Sequence, residues 1–103
     1  MTPIRELLGL WSVFLLNTVR RQTYLRYCEA IERFLEKFPR KTSPQMFDRC
    51  DVEDYKTWRR AEGVAESSLK FEIAVVSSFW SWMIETRGLH LLNIASKKTY
   101  RFF

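Results

Sequence analysis

The stretch SSLKFEIAVVSSFWSW at residues 67–82 decides how this chain folds. Its apolar residues recur at spacings of three and four, which is the spacing of one side of an α-helix. One face carries Leu69, Ile73, Val76, Trp80 and Met83, and the adjacent face carries Val75, Phe79 and Trp82. A helix that is apolar over more than half of its circumference packs between neighbours or uses one side to meet another protein. The pattern predicts a long helix over residues 66–86.

Three shorter amphipathic patterns precede this helix, and they predict helices over residues 3–16, 21–38 and 49–62. The middle one is the most regular, with an apolar stripe of Tyr24, Tyr27, Cys28, Ile31, Phe34, Leu35 and Phe38. Only 3 Gly and 3 Pro occur in 103 residues, and 16% of the residues are aromatic. Few breakers and many bulky apolar side chains favour a few long elements over many short strands. We therefore predict an all-α fold, a compact bundle of four main helices in one domain.

Polar residues and breakers predict where these helices begin and end. Asp48, with Asp51 three positions later, is placed to form a capping box at the start of the third helix. Gly63 and Gly88 are placed to end the third and fourth helices. Asn17 and Thr18 interrupt the first apolar run, and we expect them to cap the second helix.

The composition bounds the chemistry. The net charge is +5, which permits binding to phosphates or to an anionic surface without requiring it. The single histidine, His90, and the two cysteines, Cys28 and Cys50, do not form a recognisable metal-ligand or catalytic pattern. The three glycines are scattered and form no phosphate-binding loop. We predict no catalytic site, no metal and no cofactor in this chain, and free thiols that suit the reducing cytoplasm.

The apolar run LLGLWSVFLL at residues 7–16 is too short to cross a bilayer, which takes about 20 residues. Glu6 precedes the run and two arginines follow it, and neither feature suits a signal peptide. We expect an amphipathic first helix and no membrane partner.

The order of several motifs resembles that of a known family. TYLRY (23–27) opens one helix and DVEDY (51–55) opens the next. GVAESSLKFEIAVVSSFWSWMIETRGL (63–89) follows, and then Asn93. This order resembles the N-terminal core-binding domain of tyrosine recombinases, the phage integrase family, over roughly residues 5–96. The sequence departs from the family pattern in having Ile94 in place of the usual proline and Ala65 in place of a serine cap. Phe71, Glu72 and Ser77 stand at positions that are often basic.

The resemblance implies a SAM-like core-binding domain over residues 1–96, with residues 97–103 as the start of a linker or a disordered tail. It implies a role in binding double-stranded DNA, beside a C-terminal catalytic domain and partner protomers. The tyrosine nucleophile and the arginines, lysine and histidines that act with it would belong to that catalytic domain. The chain itself would then be no enzyme and would have no small-molecule substrate.

The expected DNA contacts lie at the starts of the second and fourth helices, where cations and unpaired N–H groups can meet phosphates. The candidate residues are Arg20, Arg21, Thr23, Arg26, Ser67, Ser68 and Lys70, together with Lys97 and Lys98. Arg33 and Lys37 would extend this patch along the second helix. The alternative is that Thr23 and Ser67 only cap helices and that Arg33 only pairs with Glu29.

Two other functions fit the same sequence. One is a helical protein–protein interaction module without DNA binding. The other is a small helix-turn-helix regulator, which the length of the fourth helix fits poorly. Phe71, Phe79 and Trp82 are candidates for contact with a partner protomer, and the alternative is that they belong to the core.

Overall fold

The computed structural model describes residues 2–96, which form four α-helices and no strand. The helices are α1 (Ile4–Leu16), α2 (Arg21–Glu36), α3 (Arg49–Ala61) and α4 (Glu66–Arg87), and a short 3-10 turn (Pro44–Met46) lies between α2 and α3. The prediction of an all-α bundle of four main helices is confirmed. None of these helices is long and apolar enough to cross a membrane.

Helix α4 lies at the centre of the bundle and packs against the other three helices, most extensively against α2. Its buried apolar side chains lie on both of the faces that the sequence pattern marks: Leu69, Val75, Val76, Phe79, Trp80 and Met83. A helix with apolar residues on two sides is stable only when neighbours cover both sides. The nearly all-round apolar character of α4 therefore follows from its central position.

An aromatic cluster joins α2, α3 and α4. The ring of Phe34 on α2 lies 5.2 Å from that of Tyr55 on α3, 5.7 Å from that of Phe47 and 6.2 Å from that of Trp80 on α4. Phe34, Tyr55 and Trp80 are fully buried. Large rings in tilted and edge-on contact fill the interior with few polar atoms, and they dominate the energetics of a core this small.

Helix α3 begins, and α3 and α4 end, at the capping residues that the sequence predicts. The backbone N–H of Asp51 donates to the Asp48 carboxylate at 3.1 Å, and the N–H of Asp48 donates to the Asp51 carboxylate at 2.9 Å, which completes the capping box. Gly63 and Gly88 follow α3 and α4 with φ of +83° and +65°, a left-handed conformation that side chains with a Cβ rarely adopt.

The prediction that Asn17 and Thr18 cap α2 is wrong. Their side chains donate backwards to the carbonyl oxygens of Val13 and Phe14, at 3.0 and 2.6 Å, and so close the end of α1. The residue at the N-cap of α2 is Arg20, and no side chain caps that helix. Short polar side chains can bond to the backbone of the preceding turn as readily as to that of the following one, and here both bond to the preceding turn.

After Gly88 the chain turns back along α4. The side-chain amide of Asn93 donates to the carbonyl oxygen of Ser77 at 2.9 Å and to the hydroxyl of Ser81 at 3.0 Å, and Ile94 is buried beside it. Cys28 is half-buried, Cys50 is exposed, and both are free thiols. Lys97, Lys98 and the rest of the predicted tail, residues 97–103, lie outside the described residues.

Candidate nucleic-acid interface

A depression of about 260 Å³ lies where the middle of α2 crosses the first turns of α4. Two of the predicted contact residues, Arg26 on α2 and Ser68 on α4, line it together. The other lining residues that matter here are Arg33, Arg59, Phe71 and Glu72. The depression therefore combines three guanidinium groups with a hydroxyl, an aromatic ring, the buried carboxylate of Glu72 and the exposed carboxylate of Glu29.

Arg26 lies over the ring of Phe71, with its guanidinium carbon 4.4 Å from the ring centroid. Phe71 is half-buried, and its ring makes an edge contact with Tyr27 at 5.7 Å between centroids. Arg26 is exposed and forms no ion pair within residues 2–96. A guanidinium stacked on an aromatic face keeps its full charge. Glu29 lines the same depression, but its carboxylate bonds to Arg33 and not to Arg26.

Glu72 is the buried carboxylate at the floor of the depression, with a side chain that is 6% exposed. It accepts two hydrogen bonds from Arg59, at 2.9 and 3.0 Å, and one from the hydroxyl of Tyr55. The Nη1 atom of Arg33, on α2, lies 3.8 Å from the Oε2 atom of Glu72. Burial acts to raise the pKa of Glu72, but the bonds from Arg59 and Tyr55 outweigh it and hold that pKa below its ordinary value.

The same contacts act on the partners of Glu72. Burial, followed by the hydrogen bond to Glu72, raises the pKa of Tyr55. The hydrogen bond to Glu72 raises the pKa of Arg59, so its guanidinium stays charged. In the sequence Glu72 stood out only as a departure from a family pattern, and this network was missed. The signal that could have found it was a lone carboxylate inside an apolar run, with Tyr55 and Arg59 four residues apart on one face of α3.

Arg33 does not extend a free cationic patch along α2. Its guanidinium bonds to Glu29 at 2.9 Å, as the alternative interpretation predicted, and also approaches Glu72. Lys37, one turn further along α2, lies 5.4 Å from the centroid of the Trp58 ring. The charge of Arg33 is therefore largely balanced within the fold, and the ammonium group of Lys37 lies over a ring of α3.

The start of α2 carries Arg20 and Arg21, both exposed, and Thr23, which is half-buried. Neither arginine forms an ion pair within residues 2–96. No side chain caps this helix end, so the backbone N–H groups of its first turn are not occupied by a cap. Thr23 lies in the first turn and does not cap the helix.

The predicted contact residues at the start of α4 lie on two different sides of that helix. Ser68 faces α2, but Lys70 lines a different depression of about 470 Å³, with Lys56, Arg60 and Glu66. Arg60 bonds to Glu66 at 2.8 Å, whereas Lys70 forms no ion pair within the described chain. Ser67 is exposed and does not cap α4, because the N-cap is Ala65, which has no side chain that can accept a hydrogen bond.

Phe79 is part of the core and cannot meet a partner, since it is fully buried and its ring lies 4.9 Å from that of Trp11. The suggestion that it contacts another protomer is wrong, because α1 covers it. Phe71 and Trp82 are half-buried. A separate strip of exposed apolar side chains, which was not anticipated from the sequence, lies on the outer side of α1: Leu10, Val13, Phe14 and Leu16.

Within residues 2–96, no three His, Cys, Asp or Glu side chains lie close enough together to hold a metal ion. His90 is exposed in the segment that follows α4. The depressions at α2 and α4 are lined by charged side chains of both signs.

Comparison with curated proteins and comparison with solved structures gave no significant match. The family model of the phage integrase N-terminal SAM-like domain matches residues 13–88, from within α1 to the glycine that ends α4. The match includes the whole of α2, α3 and α4. It therefore contains both depressions described above, except for Ala95 and Ser96, which also line the second. Since it spans well over half of the sequence, the chain belongs to the phage integrase family as its N-terminal SAM-like domain.

Proposed function

We propose that this chain is the DNA-binding domain of a site-specific tyrosine recombinase and that it grips duplex DNA through the exposed cations of α2 and α4. The observation that supports the proposal is how the basic residues are paired. Within residues 2–96, carboxylates hold Arg5, Arg33, Lys41, Lys56, Arg59 and Arg60. Among the cations singled out from the sequence, Arg33 is thus paired, whereas Arg20, Arg21, Arg26, Lys37 and Lys70 have no such partner there.

This division matters because a cation that is already bonded to a carboxylate gains little from a phosphate. An unpaired lysine or arginine that meets a phosphate releases the counterions condensed on the DNA, and this release supplies much of the affinity. The uncapped first turn of α2 adds backbone N–H groups, which bind phosphates well at a helix start. The hydroxyls of Thr23, Ser67 and Ser68 can add hydrogen bonds to the DNA backbone.

These contacts position the domain on DNA and carry no base sequence directly. In this proposal a C-terminal catalytic domain of the parent protein would close around the other side of the duplex. Lys97 and Lys98 lie outside the described residues and stay candidate DNA contacts by the family resemblance. In this arrangement the chain holds DNA in the cytoplasm while another part of the protein, or a partner protomer, performs strand exchange.

The test is binding of the 103-residue chain to a duplex oligonucleotide across a series of salt concentrations. We expect the double variant R20A/R21A to bind more weakly and to lower the slope of log K against log salt by about 0.9 for each phosphate that it no longer neutralises. Arg40→Ala is the matched control, because Arg40 is an exposed arginine beyond the other end of α2. Its slope should equal that of the wild type.

A second candidate function is a helical protein–protein interaction module, which the exposed strip on α1 favours. Leu10, Val13, Phe14 and Leu16 are each 40–56% exposed, and apolar side chains grouped in this way often mark a contact with another protein. Absence of any DNA binding by the wild-type chain at low salt would favour this function over the first.

A further inference from the structure

Phe71 joins the proposed DNA contact of α2 to the start of α4. Its ring comes from α4, whereas the guanidinium 4.4 Å from the ring centroid belongs to Arg26 on α2. Ser68, one turn before Phe71, lines the same depression. A cation, its aromatic support and a hydroxyl from two helices are therefore within one small area of the surface.

The ring of Phe71 is itself held in place. Tyr27 contacts it edge-on at 5.7 Å, and the Tyr27 ring lies 6.2 Å from that of Trp11, which is buried. This chain of rings anchors Phe71 to the core through α1 and α2. A side chain that stacks on such a fixed ring loses less conformational freedom when it binds a ligand, because part of that freedom is already lost.

Stacking on the ring also leaves the Arg26 guanidinium able to bind a phosphate. The N–H donors of a guanidinium lie in its plane, so a contact through its face to a ring leaves them free to meet phosphate oxygens. Arg33, the next arginine along this side of α2, lacks this freedom because Glu29 and Glu72 hold it. Within the depression, Arg26 is thus the arginine supported by a ring and not by a carboxylate.

We propose that Phe71 is a positioning residue for DNA binding, whose ring holds the Arg26 guanidinium toward a backbone phosphate that also lies within reach of Ser68. The inference rests on the proposed function, because it names the residue that organises one contact of the same surface. It assigns the aromatic ring at position 71 to DNA binding and not only to packing.

The experiment is a double-mutant cycle on the full chain, measured by duplex DNA binding across a salt series. Phe71→Leu keeps the apolar bulk but removes the ring, and it should weaken binding about two- to five-fold. Phe71→Tyr keeps the ring and should bind as the wild type does. Arg26→Ala should lower the salt slope by about 0.9. In the Arg26→Ala background, Phe71→Leu should have no further effect, since the side chain that it positions is gone.

Urea unfolding of every variant separates positioning from stability. If Phe71→Leu does not fold, Phe71→Met takes its place, because methionine is unbranched and adapts to the same space. Equal losses from Phe71→Leu with and without Arg26 would overturn the inference, and so would wild-type affinity in Phe71→Leu when Arg26→Ala is weakened. If Arg26→Ala binds as the wild type while R20A/R21A is weakened, the inference fails and the proposed function stands. A wild-type chain that does not bind DNA at low salt overturns both.

Discussion

Arg59 on α3 and Glu72 on α4 form a two-bonded ion pair, with Nε–Oε1 and Nη2–Oε2 distances of 2.9 and 3.0 Å. Tyr55 donates to the same carboxylate, and Arg33 approaches it from α2. Glu72 thus ties three helices together at the floor of the depression whose rim carries Arg26 and Ser68. Removal of one partner leaves the remaining charge without a counter-charge at a buried site. Substitution of either residue is therefore strongly destabilising.

Glu72→Gln should lower the free energy of unfolding by about 3 kcal/mol, since glutamine keeps the shape but not the charge that Arg59 and Arg33 require. Equilibrium unfolding in urea measures this loss. Glu66→Gln is the control, because Glu66 pairs with Arg60 at an exposed site where its side chain is 63% exposed. A surface pair of this kind is worth at most about 1 kcal/mol. Equal losses in the two variants would contradict the importance that we give to the buried pair.

The stability of the domain should fall in acid through Glu72. Its pKa is lower in the folded chain than the ordinary value of 4.5, so the unfolded chain binds the proton more tightly. The stabilisation that Glu72 provides is therefore complete above about pH 4.5 and is lost as the pH falls through its folded-state pKa. Urea midpoints measured from neutral pH downward should converge for the wild type and Glu72→Gln. A constant gap between them at all pH values would exclude this titration.

Phe34→Ala should destabilise the domain by about 3–5 kcal/mol, because it removes a fully buried ring that contacts Phe47, Tyr55 and Trp80. Thermal and urea unfolding measure the effect. Phe14→Ala removes the same group from the outer side of α1, where Phe14 is 44% exposed. We expect it to cost about 1 kcal/mol or less. Similar losses at the two positions would mean that the aromatic cluster around Phe34 is not the core.

Ala65→Ser should stabilise the domain by about 1 kcal/mol. Ala65 is the N-cap of α4, with extended backbone at φ −66° and ψ 145°, and it has no side chain to accept a bond from the first turn. A serine at this position can accept from the backbone N–H of Ser67 or Ser68. Ala74→Ser, at an exposed position within α4, is the control and should be neutral or slightly destabilising. If both variants change stability equally, capping is not the cause.

Local patterns were enough to predict the helices. The apolar periodicity placed all four helices to within two residues at each end, and the Asp48–Asp51 capping box formed as expected, because both features depend on residues within one turn. The direction of the Asn17 and Thr18 bonds was missed because a short polar side chain can reach backbone on either side. The two-residue offset of Ser68 and Lys70 could have shown that they lie on different sides of α4, since each residue turns the helix by about 100°.

The charge network at Glu72 could not be derived in the same way. Its partners Tyr55 and Arg59 are 17 and 13 residues away along the chain, and they meet Glu72 only because α3 packs beside α4. The sequence could identify which residues carry charge at the candidate site. Which of those charges are balanced, such as that of Arg33, and which are left unpaired, such as that of Arg26, depends on how the helices cross.

After α4 the chain returns along that helix as far as Ser96, the last residue that the structure describes. Helix α4 ends at Arg87, yet Asn93 is bonded to Ser77, ten residues before that end, and Ala95 and Ser96 share a depression with Lys70 and Ile73. Ala95 and Ser96 therefore lie beside the first half of the central helix, close to an unpaired lysine, and not at the far end of that helix. A segment that follows Ser96 would start its path beside the depression that Lys70 lines, which is on a different side of α4 from Arg26 and Ser68.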